Sequence, residues 1–205
     1  LTVVDATCPH VRVAQRAAEK LAEDGFQVIV VGESTHTEVR GIVGWASGKA
    51  HVVGRADDLG ALTIAGKVAI VAQTTQSLEN LLAVVEGVSR CCLRDITELR
   101  VINSICAATA ARQAAAAELA REVDVMIVVG GKESANTRRL LEISRRVGVD
   151  AHQVENDAEL QREWFTGRPK VGVTAGASTP DPVVQDVVER ILEFGRNEGS
   201  QWRSR

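Results

Sequence analysis

The sequence contains no tyrosine and only three tryptophans and three phenylalanines among 205 residues. So sparse an aromatic set does not build the stacking platforms that hold single-stranded nucleic acid. Positive charge is not in excess either: 24 Lys and Arg stand against 27 Asp and Glu, a formal net charge of −3. Without a net basic field to attract a polyanion, no nucleic-acid partner is expected. Long apolar runs are missing as well. Val28-Ile29-Val30-Val31 and Met126-Ile127-Val128-Val129 fall far short of the roughly 20 residues a membrane-spanning helix needs. No secretory signal is visible, so no membrane partner is expected and a cytoplasmic location is. Cysteine is scarce. Cys8, Cys91, Cys92 and Cys106 are too few for a disulfide scaffold in a chain of this length. Adjacency suits Cys91 and Cys92 poorly to an ordinary bridge, and they read as core or surface filler. The chain opens at Leu1 rather than at Met, which leads us to expect a missing upstream piece.

What is present is a regular alternation of short β-branched runs and amphipathic stretches. Thr2–Val4, Gln27–Val31, Ala50–Val53 and Val68–Val71 read as strands, and Val11–Glu23, Val39–Ala46 and Ser77–Val88 as helices. Ser77 is placed to cap the last of these. The rhythm then begins again. Val101-Ile102, Val125–Val129, Ala151–Val154 and Val171–Val173 read as strands. Ala110–Glu122, Asn136–Val147 and Pro180–Phe194 read as helices, and the end from Arg196 reads as a frayed tail. Strands alternating with helices predict an α/β fold with parallel sheets. The restart is also written in the residues. Cys8 and Cys106 stand 98 positions apart, as do Gln15 and Gln113, and Gly32 and Gly130. Farther along the offset becomes 103, linking Lys67-Val68 to Lys170-Val171 and Thr75 to Ser178. We therefore expect two pseudo-repeated small parallel-sheet domains, 1–100 and 101–205.

Ligands of open parallel sheets sit beyond the carboxyl ends of the strands. In the first copy those ends lead into Cys8, then His36 and Glu38, then Thr74 and Thr75. In the second they lead into Cys106, then Ser134 and Asn136, then Ser178. Cys8 and Cys106 precede helix starts, where backbone N–H groups favour a thiolate suited to iron–sulfur clusters or zinc. The hydroxyl and amide groups near helix starts can bind phosphate without a basic cage. His36 and Glu38, two residues apart, can position a ligand and transfer a proton. Plainer roles exist for each residue. Hydroxyls after strands commonly serve only as N-caps, and His51, inside a strand, reads as structural. Arg138, Arg139, Arg145 and Arg146 read as a solvated helix face, and Trp164-Phe165 as a hydrophobic plug.

Six segments in order carry a resemblance: Asp5-Ala6-Thr7-Cys8-Pro9, His36-Thr37-Glu38-Val39-Arg40-Gly41, Gln73-Thr74-Thr75-Gln76-Ser77, Ser104-Ile105-Cys106-Ala107-Ala108-Thr109, Gly130-Gly131-Lys132-Glu133-Ser134-Ala135-Asn136 and Val173-Thr174-Ala175-Gly176-Ala177-Ser178. Together they resemble the 4-hydroxy-3-methylbut-2-enyl diphosphate reductase family, terminal iron–sulfur enzymes of non-mevalonate isoprenoid synthesis. The resemblance implies three similar α/β domains around a central 4Fe-4S cluster, of which this chain holds the second and third. It implies Cys8 and Cys106 as two of three cluster ligands, the third lying in the missing first domain. Glu38 would supply the proton that expels the substrate hydroxyl as water. His36, Thr74, Thr75, Ser134, Asn136 and Ser178 would hold the diphosphate substrate, and a ferredoxin or flavodoxin would deliver electrons. Ala135 stands where the family usually has a serine of the diphosphate site, and Ala107 where an aromatic is common. Two other readings remain open: a degenerate module that binds diphosphate without redox chemistry, and a structural protein holding zinc at Cys8 and Cys106.

Overall fold

The computed structural model describes residues 5 and 7–197. The chain divides into two compact units, Leu1–Ala110 and Ala111–Arg205. The proposed strand Thr2–Val4 and the end of the tail lie outside the described residues.

The first unit begins with helix α1, Pro9–Glu23, whose proline occupies a first-turn position where its missing N–H costs nothing. Strand β1 (Gln27–Val31), helix α2 (Thr37–Trp45), strand β2 (Ala50–Val53), strand β3 (Gly66–Ala72), helix α3 (Leu78–Cys92) and strand β4 (Ile96–Ile102) follow. The four strands are parallel, in the order β2-β1-β3-β4. Both faces of the sheet are covered, which explains why β1 and β3 read as unbroken apolar runs. Alternate residues go to opposite faces. Val28 and Val30 pack with Ala14, Ala18 and Leu21 of α1 and with Val39 and Ile42 of α2. Ile29 and Val31 pack with Leu81, Val84 and Val88 of α3 and with Leu59. Ser77 caps α3 as expected, its hydroxyl accepting from Asn80 N at 3.2 Å.

Helix α4, Ala107–Glu122, runs into the second unit. Strand β5 (Val125–Val129), helix α5 (Ala135–Val147), strand β6 (Asp150–Val154), strand β7 (Val171–Ala175) and helix α6 (Asp181–Asn197) complete the second unit. Its parallel sheet has the order β6-β5-β7. Val125, Ile127 and Val129 face Val187 and Ile191 of α6, with Phe165 among them. The plug expected of Trp164-Phe165 is therefore real, Phe165 being 1% exposed. On the other face, Val128 meets Ala116 and Leu140, and Met126 meets Ala120. Helix α5 ends at Gly148, whose φ of 95° is the left-handed conformation glycine adopts without strain.

The internal duplication is visible bond by bond. Gly32 N donates to Val53 O and Gly130 N to Val154 O, each at 2.9 Å. His36 N donates to Glu33 O and Ser134 N to Gly131 O, at 2.9 and 3.0 Å. Gln73 N donates to Val31 O and Gly176 N to Val129 O, at 2.8 and 2.9 Å.

Three expectations are corrected. Val101-Ile102, taken as the first strand of the second copy, is the end of β4, which pairs with β3 of the first sheet. A parallel strand returning from a helical crossover is laid beside the strand it left, and α3 makes that crossover here. The first unit thus extends past residue 100. Cys91 and Cys92, read as filler, are bonded to each other at the end of α3. The arginines of α5 are not all solvated: the Arg139 side chain is 15% exposed and meets Glu142 at 2.6 Å.

Candidate functional site

In the first unit, β1, β3 and β4 lie side by side and parallel, so the segments leaving them emerge at one edge. Those segments carry His36 and Glu38, then Thr74 and Thr75, then Cys106. Glu38 sits in the first turn of α2 and is buried, with 9% exposure. Its carboxylate accepts from Thr74 N at 2.6 Å through one oxygen and from Thr74 Oγ1 at 3.0 Å through the other. Thr74 O in turn accepts from Cys106 N at 2.9 Å. One threonine thus ties the carboxylate to the cysteine backbone.

His36 caps α2: its Nδ1 accepts from Glu38 N at 3.2 Å. Its other ring nitrogen is left for a different partner. Thr75 is half-buried next to Thr74.

Cys106 immediately precedes α4 and is a free thiol of intermediate exposure. The backbone N–H of Thr109 holds its pKa below the ordinary thiol value, helped by the N–H of Ala108 and the Thr109 side chain. Partial burial and the nearby charge of Glu38 push the other way and do not prevail. A helix N-terminus favouring a thiolate is what the sequence led us to expect. Cys8 holds the equivalent place as N-cap of α1 and is likewise free, but exposed.

Two residues of this site stand in the matching segments of the sequence but were given no role there. Ser104 Oγ accepts from Ala72 N at 3.0 Å and donates to Ala72 O, clamping the end of β3. Gln73, 2% exposed, accepts from Glu33 N at 3.0 Å, while its side-chain nitrogen is buried without a hydrogen-bond partner. Gln73 directly follows β3, a position that gave it no signal of its own. Only the orphaned amide marks it.

In the second unit, β5 and β7 are adjacent and parallel, with Val129 opposite Ala175, so their loops share an edge. Ser134 caps α5, its hydroxyl accepting from Thr137 N at 3.3 Å. Asn136, in the first turn, is 7% exposed, and neither its side-chain oxygen nor its nitrogen has a hydrogen-bond partner. Thr137 Oγ1, 1% exposed, is also unpartnered. A Cβ on Gly130, where φ is 146°, would meet Thr137 Oγ1 at 2.7 Å and Thr179 Oγ1 at 2.8 Å. Only glycine lets the loop pass so close to the helix start. Ser178 lies exposed in the turn after β7. Buried amide groups without partners cost about 1–3 kcal/mol each, which makes the start of α5 a candidate ligand site. Donors at a helix N-terminus suit an anion.

A tetrahedral metal or an iron–sulfur cluster needs more than two protein ligands. Cys8 and Cys106 fit such a group chemically, as free thiols at helix starts. Among the described residues, however, no set of three or more His, Cys, Asp or Glu side chains gathers to hold a metal ion. No helix among the described residues is long and apolar enough to cross a membrane.

Comparison with known proteins bears on this arrangement. The family model described as LytB protein matches residues 1–192. A 4-hydroxy-3-methylbut-2-enyl diphosphate reductase from Geobacter metallireducens is 51% identical over 194 residues, covering 95% of this chain and 67% of the relative. The namesake from Geobacter sulfurreducens is 50% identical over the same length. Among solved structures, the E-1-hydroxy-2-methyl-but-2-enyl-4-diphosphate reductase of Plasmodium falciparum superposes with a TM-score of 0.85 at 28% identity, covering 92% of this chain and 59% of that one. The chain thus spans about two thirds of the length of its curated relatives. By sequence and by fold, the chain belongs to the LytB family, that of the 4-hydroxy-3-methylbut-2-enyl diphosphate reductases.

Proposed function

We propose that this chain carries the proton-transfer and diphosphate-binding residues for reductive dehydroxylation of 4-hydroxy-3-methylbut-2-enyl diphosphate to isopentenyl and dimethylallyl diphosphates. One observation supports this above the others: a buried carboxylate, Glu38, is bonded twice by Thr74 and sits near the Cys106 thiol. The net change consumes two electrons and two protons. The C–O bond breaks, the hydroxyl leaves as water with one proton, and the other proton forms the new C–H bond.

The residues divide the work. Thr74 Oγ1 donates to Glu38 Oε2 and, being a hydroxyl, can also accept. A substrate hydroxyl beside it receives the Glu38 proton through that one oxygen. General acid assistance of this kind contributes about 10²- to 10⁴-fold. His36, its Nδ1 engaged by the backbone, presents its remaining nitrogen, and Thr75 its hydroxyl, to the substrate. In the second unit, Ser134, Asn136 and Ser178 supply neutral donors to diphosphate at the start of α5. With Ala135 in place of a further hydroxyl, one charge-assisted hydrogen bond is forgone, at about 1.5–3 kcal/mol. Cys8 and Cys106 are assigned to a 4Fe-4S cluster, with a further ligand from outside the described residues. When bound, that group supplies the electrons and a Lewis-acidic iron. A ferredoxin or flavodoxin is the assigned electron donor, and the cytoplasm the assigned location.

The unpartnered amide of Asn136 and hydroxyl of Thr137 at the start of α5 favour a second reading, a module that binds diphosphate without redox chemistry. Calorimetry with the substrate, alongside anaerobic reconstitution with iron and sulfide, separates the two. The reductase reading expects substrate binding and a visible charge-transfer band, with turnover on a strong reductant. In Glu38→Gln, binding stays within a few-fold while turnover falls at least 100-fold. Binding without any band supports the module. No substrate binding at all overturns both.

A further inference from the structure

Cys91 and Cys92 lie outside the site just described, and the internal duplication does not account for them. At the offset of 103 their counterparts on α6 are Phe194 and Gly195, the former packed against the core of the second unit. The first copy therefore carries two thiols where the second carries an aromatic and a glycine. The two sulfur atoms are bonded to each other in the last turn of α3. Their environments differ. Cys91 is exposed, whereas Cys92 is half-buried against the cluster containing Ile96 and Leu99. One sulfur is open to an external thiol or disulfide, and the other is anchored beside it.

We propose that Cys91 and Cys92 form a reversible two-electron thiol–disulfide site, whose reduced form also chelates soft trivalent ions such as arsenicals. Oxidation by a small-molecule or protein disulfide, RSSR, balances without another reagent. The Cys91 thiolate attacks one sulfur of RSSR and expels RS⁻. The Cys92 sulfur then attacks Cys91 and expels the second RS⁻. Two electrons pass to RSSR, and the two cysteine protons end on the released thiols. Reduction by a dithiol is the reverse. In the reduced state, two adjacent sulfurs chelate one arsenic, which neither Cys8 nor Cys106 can do singly.

Trypsin, cutting after Arg90 and Arg94, isolates Cys91-Cys92-Leu93-Arg94 as one peptide, so the site can be read in the unaltered chain. The chain is equilibrated in a series of glutathione redox buffers, quenched and alkylated. We expect this peptide to pass from no alkylation to two in a single step, without a populated singly alkylated form. Phenylarsine oxide added to the reduced chain should give one adduct on the same peptide. Cys91→Ser should lose that adduct at least tenfold while calorimetric diphosphate binding stays unchanged. Independent alkylation of the two cysteines at every buffer poise overturns the proposal. So does an arsenical adduct that maps to Cys8 or Cys106, or that survives in Cys91→Ser.

Discussion

Glu38 and Cys106 oppose each other electrostatically across a shared neighbour, and that tension can be measured. The Thr109 backbone N–H lowers the thiol pKa most, while the Glu38 charge raises it. Reaction of Cys106 with iodoacetamide follows the thiolate, so its pH midpoint reports the balance. Glu38→Gln removes a raising influence, and the midpoint moves down. Thr109→Val removes a hydroxyl that lowers the pKa, and the midpoint moves up. Opposite shifts in the two variants are the expected outcome, read by peptide mass spectrometry across pH. Asn136 offers a second test at this scale. Its amide is buried with neither end bonded, so Asn136→Leu, which removes the polar atoms at similar volume, should stabilise the chain by about 1–3 kcal/mol. The same change should weaken diphosphate binding at least tenfold. A rise in Tm with a loss of affinity marks a position where binding opposes stability.

At the scale of elements, the sequence was legible where burial is two-sided. The strands Gln27–Val31 and Val125–Val129 follow from their apolar runs to the residue. Ser77 and Gly148 announce the caps they form. The first half of β4 was not legible. Its Thr97, Glu98 and Arg100 break any apolar run, and a strand with one side in water needs none. The candidate site was named from the sequence by residue type, and its bonds were not. The Ser104 clamp and the orphaned Gln73 amide depend on chain segments more than 30 residues apart. A testable contact also lies on edge strand β6. Arg168 at 2.6 Å holds the Asp150 carboxyl below its ordinary pKa, with His152 adding to the effect. A carboxyl lowered in the folded state stabilises it above the unfolded value, about 3.9, and that contribution disappears as pH falls through the folded value. Arg168→Ala should therefore lower Tm at pH 5 and narrow the loss between pH 5 and pH 3, as followed by circular dichroism. The pair is partly exposed, and the effect should shrink in high salt.

For the whole molecule, the sequence repeat and the folding units are out of phase. Cys8 and Cys106 mark equivalent points of the repeat, yet the strand leading to Cys106 completes the first sheet. That strand covers β3 along Lys67–Val71, which would otherwise be a bare edge of five residues. Vectorial synthesis on the ribosome makes this a question of timing. When Cys92 leaves the exit tunnel, all of α3 has emerged but the first sheet is still one strand short. It closes only after the opening residues of the next repeat have been made. Arrest-peptide force measurements should place the folding onset after Ile102 has cleared the tunnel, not ten residues sooner. A translational pause taken while β4 is still inside the tunnel would hold the nascent chain with β3 exposed, and synonymous codons that set such a pause should change the yield of native protein without changing a single side chain.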